Sequence, residues 1–145
     1  MPTEEHVVDQ KGCVYFPHVS GVRVGQPVTF LNSDATFHNV RTVTEANSAF
    51  NEGMAGKDLR ITKTFDKPEV MVRAKCDVHP WMAGFVGAVP HPFFAVSSEA
   101  GEFTLENVPV GDYEIEAWHE SFGKKSLKLS VAPRATAQAD FTLKL

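Results

Sequence analysis

Through most of this chain apolar and polar residues alternate with a period of two, and the three-to-four spacing of an amphipathic helix is almost absent. Short alternating segments bounded by Gly, Pro, Asn and Asp predict an antiparallel all-β protein. Strands are expected at residues 7–8, 13–16, 22–24, 27–32, 39–42, 60–65, 70–74 and 83–89. Turns fall at Gly21, Gly25-Gln26-Pro27, Asn32-Ser33-Asp34 and Asp66-Lys67-Pro68. The stretch 45–57, dominated by Ala, Asn and Gly, lacks the alternation and reads as a loop with one helical turn.

At Val89-Pro90-His91-Pro92 the pattern restarts. Short strands at hairpin spacing are expected at 93–96, 102–105, 113–119, 126–131 and 137–143. The predicted architecture is therefore a β-sandwich over residues 1–90 and a small β-sandwich module over residues 91–145. The second segment is too short to bury much surface alone, so it is expected to pack on the first.

Composition narrows the class. With 43% hydrophobic and 22% charged residues the chain is globular, and eleven Phe supply bulky core side chains. A net charge of −4 without a basic stripe argues against nucleic acid. No apolar run approaches the roughly 20 residues of a membrane helix. The first residues show no signal peptide, which taken literally means a cytoplasmic protein. The chemistry below is used mostly outside the cytoplasm, so a periplasmic or otherwise extracytoplasmic protein with its signal removed is the expectation.

That chemistry lies in Cys76-Asp77-Val78-His79-Pro80-Trp81-Met82, where a thiolate, an imidazole and a thioether stand three residues apart. A second imidazole, His38, lies upstream beside Asn39. One Cys, two His and a weak Met form the ligand set of a mononuclear copper electron-transfer centre. A tight loop between two strands can aim Cys76, His79 and Met82 at one point, with His38 arriving from a remote strand end. Pro80 stiffens the loop, and Asn39 is placed to hydrogen-bond across to it. Singly, a strand His or Cys is more often a core residue; the full set in this order is what points to copper.

The two cysteines, Cys13 and Cys76, would by default form a disulfide in a secreted chain. The neighbours of Cys76 favour metal, which leaves Cys13 as a buried, inert thiol. Cys13 with His18 is a weaker second metal candidate, better explained as a buried strand residue and an exposed turn residue. His91 and His119 read as hydrogen-bonded surface histidines, and His6 as part of a mobile terminus. Trp81 serves either to cap the site against water or to present an apolar docking surface.

Val28-Thr29-Phe30-Leu31-Asn32-Ser33-Asp34 followed by His38-Asn39-Val40 resembles the first ligand strand of cupredoxins. Thr64-Phe65, then Cys76, His79 and Met82, then Gly84 and Val86, resembles their second ligand loop, in the short form of the amicyanin branch. The resemblance covers residues 7–89, although 45–60 and the Arg73-Ala74 pair depart from the family pattern. It implies a Greek-key β-sandwich in which His38, Cys76 and His79 are strong equatorial copper ligands and Met82 the weak axial one. It further implies single-electron transfer through the edge of His79, with Pro80, Trp81, Ala83 and Gly84 facing a redox partner such as a cytochrome or a copper or quinoprotein enzyme.

An enzyme is not expected. The copper nitrite reductases, built from cupredoxin domains, need a second copper and further histidines. A periplasmic copper carrier or buffer is the main alternative, and a metal-free interaction protein another. Downstream, the run from Gly101 to Tyr113 resembles a carboxypeptidase regulatory-like, or prealbumin-like, β-domain, which implies a structural or interaction unit.

Overall fold

The computed structural model describes residues 3–144, and the chain divides into two units, Met1–Phe103 and Thr104–Leu145. Among the described residues there is no helix, and hence none long and apolar enough to cross a membrane. The first unit contains β1 (His6–Gln10), β2 (Tyr15–Phe16), β3 (Val19–Arg23), β4 (Val28–Asn32), β5 (His38–Val43), β6 (Asn51–Met54), β7 (Arg60–Lys63), β8 (Glu69–Lys75) and β9 (Ala83–Val89). One sheet runs β2-β1-β4-β7 and the other β3-β9-β8-β5-β6. β1 lies parallel to β4 and β3 parallel to β9, while the other pairs are antiparallel.

The alternation in the sequence becomes the core. Val8, Val28 and Phe30 from one sheet join Val22, Val40, Val72, Ala74, Val86 and Ala88 from the other in a single buried cluster, closed by Phe65. β9 is buried along nearly its whole length because two of its residues have no side chain. A Cβ on Gly84 would stand 3.1 Å from Tyr15, and one on Gly87 3.1 Å from Met71. Residues 91–103 go with the first unit, where the Phe94 ring occupies the space a Cβ on Gly21 would need.

Three local expectations change. Strand β2 is shorter than the predicted 13–16 because Gly12 and Cys13 both take left-handed backbone angles (φ 64° and 56°), which turn the chain before Tyr15. His6 is not part of a loose terminus; it opens β1, opposite Val28. The stretch read as a loop with a helical turn contains β6, an edge strand paired with β5. Its sequence, Asn-Glu-Gly-Met, carries no strand signal; the strand forms because β5 offers it an unpaired backbone edge.

The segment before β6 is fastened by Glu69. Its carboxylate accepts the backbone N–H groups of Glu45, Ala46 and Asn47 at 2.7–3.0 Å and the Asn47 side-chain amide at 3.1 Å. Burial alone would raise the pKa of this carboxyl, but the four donors outweigh it and hold the pKa below the usual range.

In the second unit, β10 (Gly111–His119) and β11 (Gly123–Val131) form one antiparallel hairpin, turned at Gly123 with φ 73°. Tyr113 and Ile115 pair with Leu129 and Leu127 on its half-buried face. The expected strands at 93–96, 102–105 and 137–143 do not form. The hairpin needs only local pairing across a tight turn, whereas the other segments each require a distant partner.

A carboxyl whose folded pKa is lowered contributes stability above its unfolded value of about 4.3, and that contribution disappears as pH falls through the folded value. Glu69→Gln should therefore lower stability by about 2 kcal/mol at pH 7, with the deficit shrinking below about pH 4. Denaturant unfolding of both proteins at pH 7 and pH 3 checks this, and a deficit independent of pH would contradict it.

Candidate metal centre

Three donors converge at one end of the first unit. His38 is the first residue of β5, Cys76 follows the last residue of β8, and His79 sits in the short turn leading to β9. His38 Nδ1 and His79 Nδ1 face each other at 3.1 Å. Cys76 Sγ lies 3.9 Å from the first and 3.7 Å from the second. His38 and Cys76 are buried and His79 half-buried. An ion about 2 Å from each nitrogen and about 2.3 Å from the sulfur fits at the middle of this triangle. A cation placed there would meet a lone pair from each ring wherever its Nδ1 carries no proton. A Cys-His-His cluster at this end of the unit fits a copper site, and the candidate group of His38 and His79 also includes Cys13.

The tautomer follows from the opposite ring edge. His38 Nε2 lies 2.8 Å from Asp34 Oδ2, a carboxylate oxygen that accepts a hydrogen bond from the ring N–H and leaves Nδ1 free to coordinate. Asp34 also receives the backbone N–H groups of Gly12 at 2.9 Å and Cys13 at 3.0 Å. Partial burial would raise the pKa of Asp34, yet these bonds and the His38 partner bring it down to about 2. One carboxylate thus orients a ring and gathers the loop over it.

Two further ties hold the strands that carry the donors. Tyr15 is buried, and its hydroxyl sits 3.0 Å from the carbonyls of both Asn39 and Lys75, the residues after His38 and before Cys76. Burial, then the nearby Cys76 and Asp77, push the pKa of this phenol up, so it stays a donor. Asn39 accepts the Asp77 N–H at 2.7 Å and donates to the Asp77 carboxylate at 2.8 Å and to Asn51 at 3.0 Å. The hydrogen bond from Asn39, assisted by Arg41, lowers the Asp77 pKa.

Met82 is fully buried, and its N–H bonds the His79 carbonyl at 2.9 Å, closing the turn. Trp81 is 65% exposed, with its ring edge-on to His79 at 5.2 Å and its indole N–H donated to the Cys13 carbonyl at 2.8 Å. Of its neighbours, Pro80 is exposed, Ala83 half-buried and Gly84 buried.

Cys13 is not the inert core thiol expected. It is half-buried, with Sγ 3.8 Å from His79 Nε2, and its donor atom lies within 4.8 Å of those of His38 and His79. Neither cysteine is in a disulfide. His18 turns elsewhere: its Nδ1 lies 3.1 Å from the Ala83 carbonyl and its ring stands edge-on to Phe85. His91 and His119 accept the backbone N–H groups of Phe93 and Ser121 and pack on Phe93 and Phe122.

Asp34 and Tyr15 are site residues that sequence reading missed, and Cys13, weighed there with His18 as a weaker metal candidate, stands instead beside His79. Asp34 carried a faint signal as an acid four residues before His38 at a strand end; Tyr15 carried none.

No family model and no curated protein matches the chain. Solved structures do. A reduced tryptophan-to-tyrosine variant of amicyanin shares 31% identity at a TM-score of 0.51, over 57% of this chain and 79% of that one. A purple cupredoxin from Nitrosopumilus maritimus aligns at 21% identity and a TM-score of 0.50, over 57% of this chain and 98% of that one. A copper-containing nitrite reductase from Thermus scotoductus SA-01 aligns at 23% identity and a TM-score of 0.55, over 61% of this chain. This chain spans only 23% of the reductase. With a sandwich of this topology, amicyanin-level identity over most of a solved chain and a donor cluster fit for copper, the chain belongs, through its first unit, to the cupredoxin family.

Proposed function

We propose that this protein carries single electrons between redox partners at a mononuclear copper site that His38, Cys76 and His79 would hold, with Met82 as a weaker fourth ligand. The observation that carries the reading is the Nδ1–Nδ1–Sγ triangle, with sides of 3.1, 3.7 and 3.9 Å. Copper bound there would supply a one-electron couple with no bound substrate. The chain's part is to keep one geometry for both oxidation states. Asp34 locks the His38 ring, Asn39 locks the Cys76 loop, and Tyr15 ties the two strands together, so little moves when an electron arrives.

Electrons leave through the half-buried His79, beneath Trp81. With Pro80 and Ala83, the exposed Trp81 offers an apolar surface suited to a small transient interface. Gly84, buried against Tyr15, supports the patch from beneath. The partner on this reading is a redox protein, a cytochrome or a copper or quinoprotein enzyme, and the compartment is extracytoplasmic. On this reading the chain is a carrier of electrons, and the Nδ1 atoms of His18, His91 and His119 hold local hydrogen bonds away from the donor triangle. The second unit is a structural or interaction module of the carboxypeptidase regulatory-like kind, supported by its hairpin and by the Gly101-to-Tyr113 pattern.

One equivalent of cupric ion added to the apo-protein should give a strong thiolate-to-copper charge-transfer band and a small copper hyperfine splitting. Cys76→Ser should abolish the band even where copper still binds; a retained band would remove Cys76 from the ligand set. Met82→Gln should keep the band and shift the reduction potential, and an unchanged potential would exclude Met82 as axial ligand. Tyr15→Phe should cost about 1–2 kcal/mol of apo-protein stability and broaden the copper spectrum by loosening the two ligand strands. A broadened spectrum without that stability loss would contradict the clamp. A copper carrier would instead show a pale spectrum and yield its metal to a modest chelator.

A further inference from the structure

The two imidazoles of the centre have unlike outer edges. His38 Nε2 meets a carboxylate, Asp34, at 2.8 Å. His79 Nε2 meets a sulfur, Cys13 Sγ, at 3.8 Å. A thiol is a weak acceptor and an apolar cover, and here it stands against the ring edge through which electrons would leave.

The cover is built. Cys13 holds a left-handed backbone (φ 56°), its N–H is tied to Asp34 at 3.0 Å, and its carbonyl accepts the Trp81 indole at 2.8 Å. Trp81 in turn stands edge-on to His79, so thiol and indole close over the ring as one lid. Asp34 links the lid to the other imidazole, since the same carboxylate oxygen receives both Cys13 N–H and His38 Nε2–H.

We infer that Cys13 is a positioning residue of the copper centre, whose thiol keeps water from the outer edge of His79 and thereby holds the reduction potential up. The inference rests on the proposed copper reading. Oxidised copper with one thiolate and two neutral imidazoles carries a net charge, which reduction removes. A water-poor edge penalises the charged state, and a weak acceptor on Nε2 leaves the imidazole a poorer electron donor than water or a carboxylate would. Both effects favour the reduced form.

The test compares wild type, Cys13→Ala and Cys13→Met, each loaded with one equivalent of copper, by visible spectrum and voltammetry, with melting of each apo-protein to verify the fold. Cys13→Ala admits water and should keep the charge-transfer band while lowering the potential. Cys13→Met restores an apolar sulfur cover and should return the potential towards wild type. Three results overturn the inference: an unchanged potential in Cys13→Ala, an equal fall in both variants, or loss of the band in Cys13→Ala. The last would make Cys13 a coordinating thiolate. A change confined to apo-protein melting would mean a purely structural role and also overturns it. If wild type itself shows no charge-transfer band, the copper reading falls first and takes this one with it; a band with an unmoved potential removes Cys13 alone.

Discussion

The structure depends on holding two ring nitrogens and a cysteine sulfur within 4 Å of one another at one end of a sandwich. Their separations of 3.1–3.9 Å are set by groups outside the triangle. The means are hydrogen bonds one step removed from the donors. Asp34 acts on a ring, Asn39 on the loop after Cys76, and Tyr15 on the two carbonyls beside the ligands. Each contributes about 1 kcal/mol net, but all act on backbone that the sheet has already fixed. A small energy suffices because little freedom remains to be removed.

The same device appears twice in the fold. Asp34 gathers the amides of Gly12 and Cys13 over the centre, and Glu69 gathers those of Glu45, Ala46 and Asn47 at another loop. In each case partial burial opposes ionisation and several N–H donors overcome it, leaving an acid below its usual pKa. A carboxylate with four acceptor positions can satisfy several loop amides at once, where a neutral side chain satisfies one or two. Loops without regular backbone pairing are thus held by charge placed at the sheet ends.

The two units rest on different physics. The first closes a single apolar cluster between two sheets and ends in a built centre. The second is a hairpin with one half-buried face, a form that in isolation has marginal stability.

Sequence alone determined the all-β class, most strands of the first unit and the placing of Cys76 and His79 in one short loop. These are local properties: a period of two, turn residues at fixed places, and donors three apart in one loop. Tertiary structure decided the rest. β6 exists because β5 had a free edge, not because Asn-Glu-Gly-Met favours a strand. Cys13 comes to His79 across 66 residues, and Tyr15 to the Lys75 carbonyl across 60, through the meeting of separate loops and strands. No spacing or propensity encodes those contacts, since each arises only when distant segments have already packed.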